Sequence, residues 1–228
     1  MNSRVGDAWV LVAAFNEGAV IGRVVLELLS HFENVVVVDD GSEDDTVAVA
    51  AAAGAHVVRH PVNLGQGAAI QTGLDYALSK NAKYLVTFDA DGQHAIEDAL
   101  TMLRRVRDDD LDVVIGSRFI GKSKGMPISR RLVLKAAVLF TRLTTGMKVT
   151  DAHNGLRVFS ARGARKIRIT HNRMAHASEI MEQIARRNMS VAEVPVTITY
   201  TEYSLRKGQK VSNSLNILLD LIGGRLHK

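Results

Sequence analysis

Short apolar runs, each closed by a polar cluster, constrain this chain more than any other feature. Residues 9–14 run into Phe15-Asn16-Glu17, and residues 35–38 into Asp39-Asp40-Gly41-Ser42. Residues 84–88 run into Asp89-Ala90-Asp91, and residues 113–116 into Ser117-Arg118. The stretches between them are patterned for helices: to about residue 30, through Ala53, over 67–79 and over 96–107, with His56–Arg59 as a further short strand. Runs that lack polar alternation are strands covered on both faces, and strands separated by helices form parallel sheets. In such sheets ligands bind beyond the carboxyl ends of the strands, which is where the polar clusters stand. The fold class expected is therefore α/β, a mostly parallel, Rossmann-like sheet flanked by helices. The second half is less regular: a basic helix over 130–144, a strand over 156–160, a helix over 178–187, a strand over 191–198 and a closing amphipathic helix over 211–222.

Bulk properties limit the alternatives. The 228 residues, 46% hydrophobic, suffice for one well-filled core. With no repeat, low-complexity tract or linker in view, residues 1–228 are expected to form a single domain. There is no cysteine, which removes disulfides, thiolate metal sites and thiol nucleophiles. Asp7 precedes the first apolar run and Asn16 and Glu17 soon break it, so the N-terminus does not read as a signal peptide. The longest apolar candidate for a membrane span, residues 132–143, contains Lys135 and Arg142 and falls short of the roughly 18 residues required. The expectation is a cytoplasmic protein that does not cross a membrane by itself.

The charge is unevenly placed. Residues 1–116 hold 8 Lys/Arg and 18 Asp/Glu, a net of −10, whereas residues 117–228 hold 21 and 6, a net of +15. Residues 117–150 contain eight basic side chains and no acidic one. A solvated basic surface is the bland explanation; a site for anionic phosphates or lipid head groups is the sharper one and is favoured. The same charge would attract nucleic acid, but Phe119 and Phe140 are the only rings in the stretch, too few for a base-stacking platform. No nucleic-acid partner is expected.

The chemistry-bearing signals sit at the strand ends. Asp89 and Asp91, spaced i and i+2 after a strand, can address one Mg²⁺ or Mn²⁺, and Gln93 can add a carbonyl oxygen; hard cations of this kind keep places open for substrate phosphates. An Asp- and Gly-rich turn is the structural alternative. An EF-hand loop is excluded, because His94 stands at its sixth position and Leu100 at its twelfth. Asp40, at the end of its strand, can accept hydrogen bonds from a nucleoside, while Ser42 reads as a cap for the helix that follows. The segment Asn63-Leu64-Gly65-Gln66-Gly67-Ala68-Ala69 opens a helix whose small residues let backbone N–H groups approach a phosphate. It lacks the third glycine of the dinucleotide fingerprint and the Gly-Lys-Ser/Thr of a Walker loop. The histidines, among them His94, His153, His171 and His176, show no ligand spacing tied to a strand end and are expected on the surface or in helix packing.

Taken in order, Ala14-Phe15-Asn16-Glu17, Val38-Asp39-Asp40-Gly41-Ser42, the segment 63–69, Asp89-Ala90-Asp91-Gly92-Gln93 and Gly116-Ser117-Arg118 resemble family 2 glycosyltransferases. The set is most similar to the branch that makes dolichyl- or polyprenyl-phosphate hexoses. The resemblance continues through Asp151, Asn154-Gly155-Leu156-Arg157 and Glu193-Val194-Pro195-Val196, and so covers nearly the whole chain. It implies a GT-A fold, a UDP- or GDP-linked sugar donor and inversion at the anomeric carbon. It also implies a nucleotide-sugar-binding half over 1–116 and an acceptor-binding half over 117–228.

Residue by residue, the resemblance places Ala14, Glu17 and Asp40, with Asn63 and Asp89, around the nucleotide. Asp89, Asp91 and Gln93 would hold the metal, and Arg118, with Arg130 or Arg131, would grip an acceptor phosphate. Asp151 would lie near the reacting centre, joining Asp89 and Asp91 as a catalytic candidate. The implied acceptor is a polyprenyl phosphate at an anionic membrane surface, the inner face, where the protein would be peripheral; a small membrane-protein subunit is an implied partner. A saccharide hydroxyl of a cell-envelope polysaccharide is the alternative acceptor, with Asp151 as base. The chain departs from the family at Gln66, where many relatives carry lysine, at Leu156, where phenylalanine is frequent, and over 205–210, where the arginine is shifted and a serine is missing.

Two other classes remain. A haloacid-dehalogenase-type phosphatase also uses an apolar strand followed by Asp-X-Asp-Gly, but its Asp-Asp motif should follow that signature rather than precede it, and Gln93 stands where Thr or Val belongs. A non-catalytic nucleotide-sugar-binding protein on the same fold is the other, against which the intact Asp89/Asp91 pair argues.

Overall fold

A computed structural model describes residues 4–170 and 175–207. The helix expected over 211–222, His171 and the last three residues of the 205–210 segment lie outside the described residues. The elements run β1 (Val5–Ala14), α1 (Gly18–Leu29), β2 (Phe32–Asp39), α2 (Thr46–Ala52), β3 (His56–Arg59), α3 (Gln66–Ser79), β4 (Tyr84–Asp89) and α4 (Ile96–Asp108). They continue with β5 (Val113–Lys124), α5 (Ile128–Thr145), β6 (Arg157–Ser160), α6 (Ala161–Arg165), α7 (Ala175–Arg186), β7 (Val191–Thr199) and α8 (Glu202–Lys207).

One seven-stranded sheet unites them, in the order β3-β2-β1-β4-β6-β5-β7. β1 pairs in parallel with β2 and β4, β2 with β3, and β5 with β7; β6 alone runs antiparallel, between β4 and β5. The sheet is mostly parallel, as its apolar strands predict. Alternate residues of one strand serve two different cores. Val10, Val12, Val35, Val37, Val86 and Phe88 pack with α1 and α4 through Ile21, Val25, Leu28, Met102 and Leu103. Leu11, Val36, Val38 and Leu85 pack on the other face with α3 and α7 through Ile70, Leu74, Ile180 and Met181.

Two local expectations are corrected. β5 does not end at Gly116. It continues to Lys124 because β7 pairs with it again at Lys122, Ser123 and Lys124, after a register shift that follows Ser117. Ser117 and Arg118 therefore stand inside a strand, at its irregularity, which turns Arg118 out of the ladder. Ser42 does not cap α2, which begins four residues later; its hydroxyl accepts the Asn16 N–H at 2.8 Å. That bond joins the loop after β2 to the loop after β1, and the Gly18 N–H donated to Asp44 at 3.0 Å reinforces it.

Candidate active-site cleft

The loops beyond β1, β2 and β4 meet α5 and the segment before β6 around a cleft of about 480 Å³. By sheet order, Ala14, Glu17, Asp40 and Asn63 line it from the β3-β2-β1 side, Asp89, Asp91 and Gln93 follow β4 as its floor, and Arg118 and Arg130, from β5 and α5, form the wall across from them. The parallel sheet thus brings together nine of the eleven residues singled out in the sequence, across a separation of more than a hundred positions. The two it leaves out are Arg131, an exposed residue of α5, and Asp151.

At the Ala14 end, Asp40 shapes the loop that follows β3. Its Oδ1 accepts the Leu64 N–H at 2.9 Å and lies 2.8 Å from His60 Nδ1, and its Oδ2 accepts the Gly65 N–H at 2.7 Å. Gly41, at φ +77°, lets this loop approach, since a Cβ there would stand 2.7 Å from the Val62 carbonyl carbon. Glu17, at the start of α1, accepts the Tyr203 hydroxyl of α8 at 2.6 Å, so the last described helix reaches back over this end.

On the floor, two carboxylates two residues apart sit in opposite electrostatic situations. Burial works to raise the Asp89 carboxyl, but the hydrogen bond and charge of His94, with Arg157 and Arg118 beyond, hold it below its ordinary value. Burial first and the Asp89 charge second push Asp91 up to about 6. His94 Nε2 lies 2.8 Å from Asp89 Oδ2, its ring edge-on to Phe88. Gly155 lies against the same carboxylate, and a Cβ at that position would overlap both Asp89 oxygens. A divalent cation fits this floor, because its charge would offset both the burial and the neighbouring Asp89 charge that raise Asp91. Among the described residues no three His, Asp or Glu side chains converge as a closed metal cage. Two carboxylates and Gln93 would leave coordination places for phosphate oxygens of a substrate.

The opposite wall is cationic and tightly braced. Arg118 is 8% exposed; its Nε donates to Asp151 Oδ2 at 2.6 Å and its Nη1 to the Tyr200 hydroxyl at 2.8 Å. Asp151 is itself 0% exposed and lies behind Arg118, not at the cleft. Glu193 fixes the loop that carries it, accepting the Thr150 N–H at 2.8 Å and the Asp151 N–H at 3.0 Å. Asp151, expected beside the reacting centre, meets the cleft only through Arg118, and burial and the ion pair make it that residue's counter-ion. Arg130, on α5, lies over the Tyr200 ring, 5.1 Å from its centroid.

Sequence reasoning missed several residues here. His94, His153 and His176 all line the cleft, where surface or packing roles were expected. Burial, then the neighbouring Arg157 charge, drive the His153 imidazole down to about 4. Arg157 also lines the cleft, buried and within the field of Asp89, its pKa lowered by burial to about 10, and still cationic at neutral pH. His153 Nδ1, Asn154 Nδ2 and Arg157 Nε are buried without a hydrogen-bond partner, a costly state. The order Asn154-Gly155-Leu156-Arg157 was the available signal, and it carried no assigned role.

A family model described as Glycosyl transferase family 2 matches residues 9–168. The UDP-N-acetylglucosamine–dolichyl-phosphate N-acetylglucosaminyltransferase of Methanococcus voltae is 30% identical, covering 94% of this chain and 94% of that protein. The polyprenol monophosphomannose synthase of Mycolicibacterium smegmatis is 31% identical over 87% of this chain and 79% of its own. Among solved structures, glucosyl-3-phosphoglycerate synthase from Mycobacterium tuberculosis, in complex with Mn²⁺, UDP and glucosyl-3-phosphoglycerate, matches with a TM-score of 0.72 at 19% identity. That match covers 97% of this chain and 80% of the other, and it is a likeness of fold.

Proposed function

The chain belongs to glycosyl transferase family 2, and from that premise we propose that it moves a hexose from a nucleotide-sugar to a polyprenyl phosphate at a membrane surface, with inversion. Ala14, Glu17, Asp40 and Asn63 receive the nucleotide. Asp89, Asp91 and Gln93 hold Mg²⁺ or Mn²⁺, which when bound screens the diphosphate and stabilises the charge of the departing nucleotide. The mycobacterial structural neighbour binds Mn²⁺ with UDP. The names of the two relatives specify a UDP-sugar in one and mannose in the other; the donor of this chain is assigned as a UDP- or GDP-linked hexose.

The observation that carries the acceptor is the wall opposite the metal floor, which presents Arg118 and Arg130 and, among the described residues lining it, no carboxylate. A hydroxyl acceptor needs a group to take its proton as the bond forms. The acid on that side, Asp151, is buried against Arg118, and His153 is too weak a base with its pKa near 4. A phosphate monoester is already largely ionised at neutral pH, its second pKa being about 6, and needs positioning instead. Arg118 and Arg130 supply it. A phosphate oxygen then forms the new bond to the anomeric carbon from the face opposite the nucleotide. The bond from that carbon to the diphosphate breaks, and the nucleoside diphosphate leaves with the electron pair.

The outer face of α5 supports action at a membrane. Ile128, Leu132, Leu139 and Leu143 are 58–79% exposed along one side of the helix, flanked by Arg131, Lys135 and Arg142. Its other face supplies Arg130, Val133 and Leu134 to the cleft. An apolar stripe edged with cations lies in an anionic lipid interface, beside the wall where a lipid phosphate would enter. No described helix is long and apolar enough to cross a membrane.

The test compares Arg118→Ala with Asp151→Asn on polyprenyl phosphate. Arg118→Ala should raise acceptor KM sharply. Asp151→Asn, which only loosens Arg118, should raise it less and keep measurable turnover. A wild-type protein inert towards every polyprenyl phosphate, yet active on a saccharide hydroxyl and dead as Asp151→Asn, would overturn the lipid-phosphate acceptor.

A further inference from the structure

Tyr200 lies between β7 and α8, is 7% exposed, and belongs to none of the motifs above. Its backbone N–H donates to the Lys124 carbonyl at 2.9 Å, which ties it to the far end of β5. Its side chain touches both arginines of the cleft wall in two different ways. The hydroxyl oxygen accepts from Arg118 Nη1 at 2.8 Å. The ring face lies under the Arg130 guanidinium, with Cζ 5.1 Å from the centroid.

These two cations come from separate elements, β5 and α5, and they repel one another. A phenol placed between them offsets that repulsion twice, with its oxygen towards one guanidinium and its negative ring face towards the other. It also restricts two long side chains whose rotamer freedom would otherwise be lost when a ligand binds. Asp151 and Tyr200 together occupy two of the five N–H groups of Arg118, a residue that lines the cleft. We infer that Tyr200 is a positioning residue which sets the spacing of Arg118 and Arg130 for a phosphate monoester. The inference rests on the acceptor assignment made above.

Wild type, Tyr200→Phe, Tyr200→Leu and Arg118→Ala are compared in steady state. Polyprenyl phosphate is varied at saturating donor and metal, then the donor is varied at saturating acceptor, and each variant's melting temperature is recorded. Tyr200→Phe removes the hydroxyl but keeps the ring, so acceptor KM should rise about three- to tenfold, the usual weight of one hydrogen bond. Donor KM and melting temperature should stay at the wild-type values. Tyr200→Leu removes the ring contact as well and should raise acceptor KM further; if it fails to fold, the phenylalanine variant still decides. Equal changes in donor KM, acceptor KM and melting temperature would mark Tyr200 as a packing residue and overturn the inference. So would an unchanged acceptor KM in Tyr200→Phe alongside a raised one in Arg118→Ala. An unchanged acceptor KM in Arg118→Ala overturns the acceptor assignment itself, and the role of Tyr200 with it.

Discussion

Asp89 and Asp91 share a turn but not an environment, and the difference fixes what each substitution should do. Asp91→Asn removes a carboxylate that, among the described residues, has no cationic hydrogen-bond partner of its own, so the fold should persist while turnover falls about 100- to 1000-fold, the usual cost of deleting one electrostatic group at a reacting centre. A thermal melt and a steady-state assay read both; wild-type turnover in Asp91→Asn would remove the metal assignment. Gly155→Ala acts on the partner carboxylate from behind, since its Cβ would overlap Asp89. It should weaken Mn²⁺ binding on the order of 10-fold, as disturbed support of metal ligands does, measured by titration of the protein with Mn²⁺ followed by electron paramagnetic resonance. An unchanged affinity would show that Asp89 does not depend on that contact. The residues legible from the sequence, Asp89, Asp91, Gln93 and Asp40, announced themselves by type and position at a strand end. Those that were not legible, His94, Arg157 and Tyr200, take their roles from partners brought near by the sheet. His94 follows Asp89 by only five positions, but a single histidine carries no spacing signal until the turn at Gly92 returns it to the carboxylate.

Among the elements, apolar runs located β1, β2 and β4 because burial on both faces leaves a continuous hydrophobic signature. The far half of β5 was invisible for the opposite reason: residues 119–124 are largely exposed and carry no continuous apolar run, and they form a strand because β7 pairs with them. The short β6 was found, but nothing in its composition tells antiparallel from parallel. α5 was legible as a basic helix; that its leucines face outward was not, because an apolar stripe reads the same whether covered or bare. Replacing Leu132 and Leu139 with glutamate should abolish co-sedimentation with anionic vesicles, given about 1.5–3 kcal/mol for each such side chain buried. Wild-type binding should itself fall with added salt. Failure of the wild-type protein to bind anionic vesicles at low salt would contradict the membrane-facing assignment of this helix.

α6 is clamped to the sheet by one carboxylate. Arg162 Nε and Lys166 Nζ donate to Asp112 at 2.8 and 2.9 Å, and the Ser190 N–H at 3.0 Å. Burial would raise the Asp112 carboxyl, but Lys166, Arg162 and the Ser190 N–H outweigh it and hold it at about 2. A carboxyl depressed on folding stabilises the fold fully above its unfolded value near 4, and that contribution fades as pH falls through 2. Its partners are partly exposed, so solvent screening leaves about 1–2 kcal/mol of it. Urea unfolding of wild type and Asp112→Asn should differ by that amount at pH 7 and converge towards pH 2; a difference independent of pH would contradict the clamp.

For the whole molecule, the sheet order explains why acidic and basic halves of the sequence end up facing each other. β1, β2 and β4 deliver Glu17, Asp40, Asp89 and Asp91 from the acidic half, and β5 and α5 deliver Arg118 and Arg130 from the basic half. A nucleotide-sugar bound across the floor would place its anomeric carbon between a metal-held leaving group and a cationic wall. The charge asymmetry was legible at once; that it folds into one cleft required the crossing from β4 through β6 to β5. The account is tested most directly by supplying purified protein with a radiolabelled nucleotide-hexose and polyprenyl phosphate, with and without Mn²⁺ or Mg²⁺, and separating the products. It predicts a labelled, organic-extractable polyprenyl-phosphate hexose of inverted anomeric configuration, formed with the metal and lost in excess EDTA. Label appearing only as free sugar or on a saccharide, or lipid product undiminished by EDTA, would contradict it.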